Sequence, residues 1–155
     1  MIEIERKFLV TSDAYKEEAF QKFRIIQGFL NRDPQRTVRV RIAGNKGILT
    51  VKGLSSNSGL SRFEWEKDIS KMDAKVLLEF CEEGVIEKLR YEVKMGNHIF
   101  EIDEFFGDNI GLTIAEIELG SIEESFDIPA WLGEEVTGDK RYYNSQLSLM
   151  PFKNW

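Results

Sequence analysis

The chain has 155 residues, 42% of them hydrophobic and 31% charged, a size that suits one domain over 1–155 burying roughly 70% of its unfolded surface. Its 27 acidic and 21 basic residues leave a net charge of −6, which argues against the basic footprint that non-specific nucleic-acid binding needs. One cysteine, Cys81, and one histidine, His98, exclude an internal disulfide and the ordinary zinc sites. No apolar run reaches a membrane span, and the charged start Glu3–Lys7 lacks a signal-peptide core. A cytoplasmic protein, away from membranes, is expected.

Period-two alternation opens the chain as a strand, Ile2–Leu9. A weaker helical pattern runs from Asp13 to about Lys22. Strands follow at Arg24–Leu30, Val38–Ile42 and Ile48–Lys52, the last two joined by the turn Gly44-Asn45-Lys46-Gly47. Gly53–Ser61 is an inter-strand loop by composition, and Arg62–Ile69 is the next strand. Ser70 or Asp73 can cap a helix reaching Glu83, with Met72, Val76, Leu77 and Phe80 at helical spacing and Gly84 as the stop. Lys88–Lys94 and Ile99–Phe105 flank the turn Gly96-Asn97, Ala115–Leu119 makes an eighth strand, and Asn144 can cap a short helix to Leu149. Many hairpin-linked strands and few helices predict a mainly antiparallel sheet.

Successive side chains on a strand point to opposite faces, so each strand splits into two rows. One row is apolar: Ile2, Ile4, Phe8, Val38, Val40, Leu49, Val51, Phe63, Trp65, Leu89, Tyr91, Phe100, Ile102, Ile117 and Leu119. The other is nearly all ionisable, with its signs sorted by strand. Arg39-x-Arg41 and Lys88-x-Arg90 are basic, whereas Glu101-x-Asp103 and Glu116-x-Glu118 are acidic. Like charges side by side repel unless something of opposite sign lies between them. Clustered arginines suit phosphate oxygens and clustered carboxylates suit a hard divalent cation. A polyphosphate–metal complex uses both, if the sheet closes with the charged row inward.

The opening Glu3-Ile4-Glu5-Arg6-Lys7 resembles the signature of the CYTH superfamily, the triphosphate tunnel metalloenzymes. The resemblance continues in order through Arg39-Val-Arg41, Thr50-Val-Lys52, Arg62-x-Glu64-x-Glu66, Lys88-x-Arg90-Tyr91, Glu101-x-Asp103, Glu116-x-Glu118 and the tail Glu134–Asn144, where it is similar to the short bacterial members. It implies an α+β fold, an eight-stranded antiparallel closed β-barrel forming a tunnel with a few flanking helices. The implied activity is hydrolysis or cyclisation of a triphosphate with Mg²⁺ or Mn²⁺, by a monomer or homodimer. Position by position, it implies Glu3, Glu5 and Glu118 around one metal, with Asp103 and Glu116, and Glu66 beside them, supporting a second metal or the attacking water. Lys7, Arg39, Arg41, Lys52, Arg62, Arg90 and Lys140 are implied to hold phosphate oxygens, and Lys88 to lie near the chemistry at the terminal phosphate. Close relatives often carry Tyr after Gln-Gly, where this chain reads Gln27-Gly28-Phe29. Without that hydroxyl, activation of the attacking water falls more on the metal.

Inorganic triphosphate is the favoured substrate because the charged row reserves no aromatic or amide set for a base. The alternatives are a class IV type adenylate cyclase, a thiamine or nucleoside triphosphatase, and a non-catalytic polyphosphate-binding module. His98 reads as a solvated turn residue, Cys81 as a boundary residue of the helix, and Trp131 and Trp155 as packing anchors. No P-loop pattern occurs in Gly53–Ser61.

Overall fold

The alternating segments fold into a ring, seen in the computed structural model, which describes residues 2–155. In chain order the elements are β1 (Ile2–Val10), α1 (Tyr15–Glu18), β2 (Gln21–Asn31), β3 (Arg36–Ala43), β4 (Lys46–Gly53), β5 (Ser61–Ile69), α2 (Lys71–Leu78), β6 (Ile86–Met95), β7 (His98–Phe105), β8 (Thr113–Leu119), β9 (Leu132–Glu135) and α3 (Asn144–Leu147). Neighbouring strands run β5-β4-β3-β2-β6-β7-β8-β1, and an antiparallel β5–β1 pairing closes the barrel. The closing strand is shared. Residues Ile4–Leu9 of β1 pair with β8, and only Ile2–Ile4 pair with β5. Along its other edge β1 also pairs with β9, at Phe8 and Val10, across a register shift. This ninth strand is too short for alternation to reveal it.

With the ionisable row inside the ring, the apolar row faces out and its coverings divide the core. Phe8, Tyr91, Phe100, Ile102, Ile117 and Leu119 are sealed by Tyr15 and Trp131. Trp131 is 1% exposed, stacks edge-on against Phe100 and Tyr15, and donates its Nε1–H to Glu18 at 2.9 Å. It is a packing anchor, as expected. Ile86, Phe105, Leu112 and Ile114 lie under Val136, Tyr142 and Leu147 of the C-terminal segment. Val40 and Ile42 lie under Ala74, Leu77, Leu78 and Cys81 at α2.

Several expected elements differ. The helix expected over 13–22 is a single turn, because the Phe20 N–H bonds the Glu92 carbonyl and draws the chain into β2. Ser70 caps α2, its hydroxyl accepting from the Asp73 N–H at 3.0 Å, but the helix ends at Leu78 and continues only as turns. Met72 and Phe80 are 70% and 71% exposed, while Ala74 is buried against the sheet. The reason is close approach: a Cβ at Gly28 would lie 2.8 Å from Cys81 Cβ, and one at Gly47 2.9 Å from Ala74 Cβ. Only small residues fit that contact, so the larger apolar ones turn outward. His98 is not a solvated turn residue either. Its ring pairs with Glu124 and packs edge-on against Phe126. Among the described residues no helix is long and apolar enough to cross a membrane.

Candidate active site

The inward row lines a cavity running through the barrel. β1 contributes Glu3, Glu5 and Lys7, β3 Arg39 and Arg41, β4 Thr50 and Lys52, β5 Arg62, β6 Lys88 and Arg90, and β8 Glu116. Phe29, Tyr143, Asn144 and Ser145 complete the wall. Seven cations thus face three carboxylates in a chain whose overall charge is −6. A cationic interior within an acidic protein is built for a polyanion. At one mouth, loop 54–60 meets the C-terminal segment. Gly59 and Gly138, with φ of 76° and 81°, approach so closely that a Cβ on Gly59 would lie 2.3 Å from Gly138 Cα.

The acids and lysines of β1 interlock with their neighbours. The Lys7 ammonium lies 2.9 Å from both Glu5 and Glu116, and Lys52 lies 2.8 Å from Glu3 and 3.3 Å from Glu64. Burial pushes the Glu5 pKa up, but Lys7 and Lys52 outweigh it and hold the group at about 2. Glu3 and Glu118 behave differently. Burial raises both above the ordinary carboxylate range, and the charges of Glu64 on Glu3, and of Glu3 and Glu5 on Glu118, add to it. Glu118 stands opposite Glu5 in the β1–β8 register.

Deeper in, Lys88 is fully buried, 2.8 Å from Asp103 and 3.0 Å from Asn144 Oδ1. Burial, helped by Arg90 and Arg41 and opposed by Asp103, lowers its pKa to about 7. Burial and the neighbouring Arg39 and Arg90 bring Arg41 down to about 9. The Arg39 Nε–H is buried and has no hydrogen-bond partner among the described residues.

The structure brings Glu3, Glu5, Lys7, Arg39, Arg41, Lys52, Arg62, Lys88, Arg90 and Glu116 to one cavity wall. Four expected residues stand elsewhere. Asp103 is 1% exposed behind the wall, taking Arg90 Nε at 2.7 Å, Arg90 Nη2 at 2.8 Å and Lys88 at 2.8 Å. Cations occupy most of its lone-pair directions, so it serves as their counter-ion. Glu66 is half-exposed and accepts from Thr50 Oγ1 at 2.9 Å. Glu118 is exposed on β8 at the acidic end. Lys140 lines an adjoining recess with Arg62, Ser55 and Tyr143. Two residues at the wall escaped the charge pattern. Gln27 is fully buried behind the wall, bonded to Arg41 and Asn144, and Asn144 itself lines the cavity instead of capping α3. The parity of Gln27 with Phe29 on β2 is the signal that locates it.

Among the described residues no three carboxylates stand together as a ready metal cluster, since lysines hold Glu3, Glu5 and Glu116. The donor set nevertheless fits a hard cation. It is all oxygen, and Glu3 and Glu118, raised first by burial and then by neighbouring carboxylates, gain from a divalent ion that offsets the buried charge.

The CYTH domain pattern matches residues 1–151. Over 154 residues the chain is 49% identical to a protein of Acetivibrio thermocellus named inorganic triphosphatase, covering 99% of this chain and 97% of that one. An inorganic triphosphatase of Nitrosomonas europaea is 37% identical over 153 residues, 96% of this chain and 98% of that one. Among solved structures, the crystal structure of the inorganic triphosphatase NE1496 aligns with a TM-score of 0.67 at 34% identity, covering 94% of this chain and 97% of that chain. On its closed barrel, its inward charged rows and these matches, the chain belongs to the CYTH domain family.

Proposed function

We propose that this chain is an enzyme of one domain, residues 1–155, that hydrolyses inorganic triphosphate to pyrophosphate and phosphate in the cytoplasm with Mg²⁺ or Mn²⁺. One observation carries the reading: seven cations, including a buried Arg39 Nε–H without an acceptor among the described residues, converge on one cavity inside the closed barrel. The names of the two relatives at 49% and 37% identity support the inorganic ligand over a nucleotide.

Lys7, Arg39, Arg41, Lys52, Arg62 and Arg90 neutralise phosphate oxygens along the tunnel, with Lys140 at the mouth. The arginines offer paired N–H groups that match phosphate geometry. Glu3, Glu5 and Glu118 would hold the divalent cation, and Glu116, beside Lys7, is the next carboxylate in the row. Such an ion supplies charge neutralisation at the phosphates and a lowered pKa of water. Lys88 is the group suited to a proton. With a pKa of about 7 it exchanges one at neutral pH, and it accepts the proton of the attacking water. Asp103, itself held by Arg90, keeps Lys88 in place, and Glu66 acts through Thr50 at the wall.

A phosphate-release screen over inorganic triphosphate, pyrophosphate, ATP and thiamine triphosphate, with Mg²⁺ and Mn²⁺, tests this. Inorganic triphosphate should give the highest kcat/KM. Cyclic AMP as the main product from ATP would replace it with the cyclase reading. Tight triphosphate binding without turnover would leave a binding module.

A further inference from the structure

A chain of amide groups crosses the tunnel wall beside Lys88. Gln27 Oε1 accepts from Arg41 Nε at 3.0 Å and Nη2 at 2.7 Å. Gln27 Nε2 donates to Asn144 Oδ1 at 2.8 Å, and that same oxygen accepts from Lys88 Nζ at 3.0 Å. The direction of this chain is not arbitrary. A guanidinium has only donors, so the Gln27 atom facing it is the carbonyl oxygen. Gln27 therefore presents its NH₂ to Asn144. Asn144, meeting a donor from Gln27 and another from Lys88, must present its oxygen to both. Its own NH₂ is turned away from them and has no protein acceptor in the hydrogen-bond network of the described residues, while Asn144 lines the cavity. Phe29 in the same wall offers no hydrogen bond.

We propose that the Asn144 side-chain NH₂ is a further substrate-binding donor, bonded to a phosphate oxygen next to Lys88, and that Gln27 is the positioning residue fixing its orientation. A neutral donor here adds specificity that the surrounding charges lack. Cations attract any anion, whereas a fixed N–H selects an acceptor at one position. The proposal rests on the triphosphatase reading for the nature of its ligand. It depends on Arg41 and Lys88 as well, because donors at the two ends together set the sense of the two amides.

Titration calorimetry with inorganic triphosphate and Mn²⁺, alongside steady-state kinetics, tests it. Asn144→Ala should raise Kd and KM about tenfold, the scale of a lost hydrogen bond to a charged group. Its melting temperature without ligand should fall modestly, because Gln27 Nε2 and Lys88 Nζ lose their shared acceptor, while the Kd ratio is read on the folded protein. Asn144→Asp keeps the shape but turns a carboxylate toward the anion, and should weaken binding more than Asn144→Ala. Gln27→Glu still accepts from Arg41 but cannot donate to Asn144, whose oxygen keeps only the Lys88 donor, so the Asn144 NH₂ loses its fixed orientation toward the substrate. That variant should weaken binding in the parent and add little in the Asn144→Ala background. A purely structural role predicts additive losses with no such ordering. Unchanged Kd and KM for Asn144→Ala would overturn the proposal, as would full additivity of the two changes. A parent that binds triphosphate without hydrolysing it would defeat the triphosphatase reading alone, because the Kd ratios still decide the role of Asn144.

Discussion

Lys88 Nζ and Asp103 Oδ2 lie 2.8 Å apart, each side chain about 1% exposed. The pair is sealed from water. Lys88 titrates at about 7 in the folded chain against an ordinary 10.5. Between those values the folded chain binds fewer protons than the unfolded one, so this group makes stability rise with pH across that window. Asp103 has the opposite history. Burial opposes its charge, but Arg90 and Lys88 hold it at about 2, so its contribution is complete above 3.8 and is lost as pH falls from 3.8 toward 2.

For activity, kcat/KM with inorganic triphosphate should climb through pH about 7 as free Lys88 loses its proton. Lys88→Arg retains a cation that does not deprotonate. It should abolish that limb and lower kcat by roughly a hundredfold or more, which a pH–rate profile of parent and variant measures. A variant with the parent's limb would assign the proton to another group.

Arg39 has a buried Nε–H without a partner and helps to lower the Arg41 pKa by its like charge. Arg39→Gln should cost about 10- to 100-fold in kcat/KM, the range of a lost charge-assisted contact. The melting temperature without ligand should hold or rise, because a repulsive neighbour is removed. A lower melting temperature with unchanged kinetics would make Arg39 structural.

Lys52 balances Glu3 and Glu64 at 2.8 and 3.3 Å. Lys52→Met should lower stability without metal by about 3 kcal/mol, leaving acids inside the wall without their counter-charge. Adding Mn²⁺ should restore more melting temperature to this variant than to the parent. An equal Mn²⁺ response would remove Glu3 from the proposed cation site.

Glu118 is held above the ordinary carboxylate range by burial and by Glu3 and Glu5, so its charge disfavours the fold as pH rises through that range. Glu118→Gln should leave melting unchanged or slightly raised without ligand. It should also remove most activity and most of the shift that Mn²⁺ plus triphosphate gives the parent. Chelation should silence the parent as well. A ligand shift equal to the parent's would reject Glu118 as a metal ligand.

Alternation made the tunnel wall legible, because ionisable residues at every second position have one face to share. Arg39, Arg41, Lys52, Lys88 and Arg90 are where that parity puts them. Depth along the row was not legible. Glu101 and Asp103 share a face two residues apart, yet the Asp103 side chain is 1% exposed and that of Glu101 34%. Their partners differ, since Arg90 and Lys88 both close on Asp103 while Glu101 meets a single Arg90 nitrogen, and a strand-by-strand pattern does not show such cross-strand partners. The stripe of Met72, Val76 and Phe80 misled for a related reason. Helical spacing identifies an apolar face, but the glycines beneath α2 decide which face fits. Gln27 and Asn144 were missed because an uncharged amide leaves no mark on a charge pattern.

The sharing of β1 among three partners has a consequence for how the chain is made. β1 is synthesised before its partners β5, β8 and β9, which begin at Ser61, Thr113 and Leu132. Throughout most of synthesis its N–H and C=O groups stay unpaired, with Ile4 and Phe8 exposed beside them. Such an edge is open to the strands of other chains until β8 emerges. The interlocked charges Glu3, Glu5 and Lys7 on this strand then act as guards, because a foreign strand pairing there would bury them without their counter-ions. Residues that line the cavity of the finished barrel thus shield the nascent chain from association before the barrel exists.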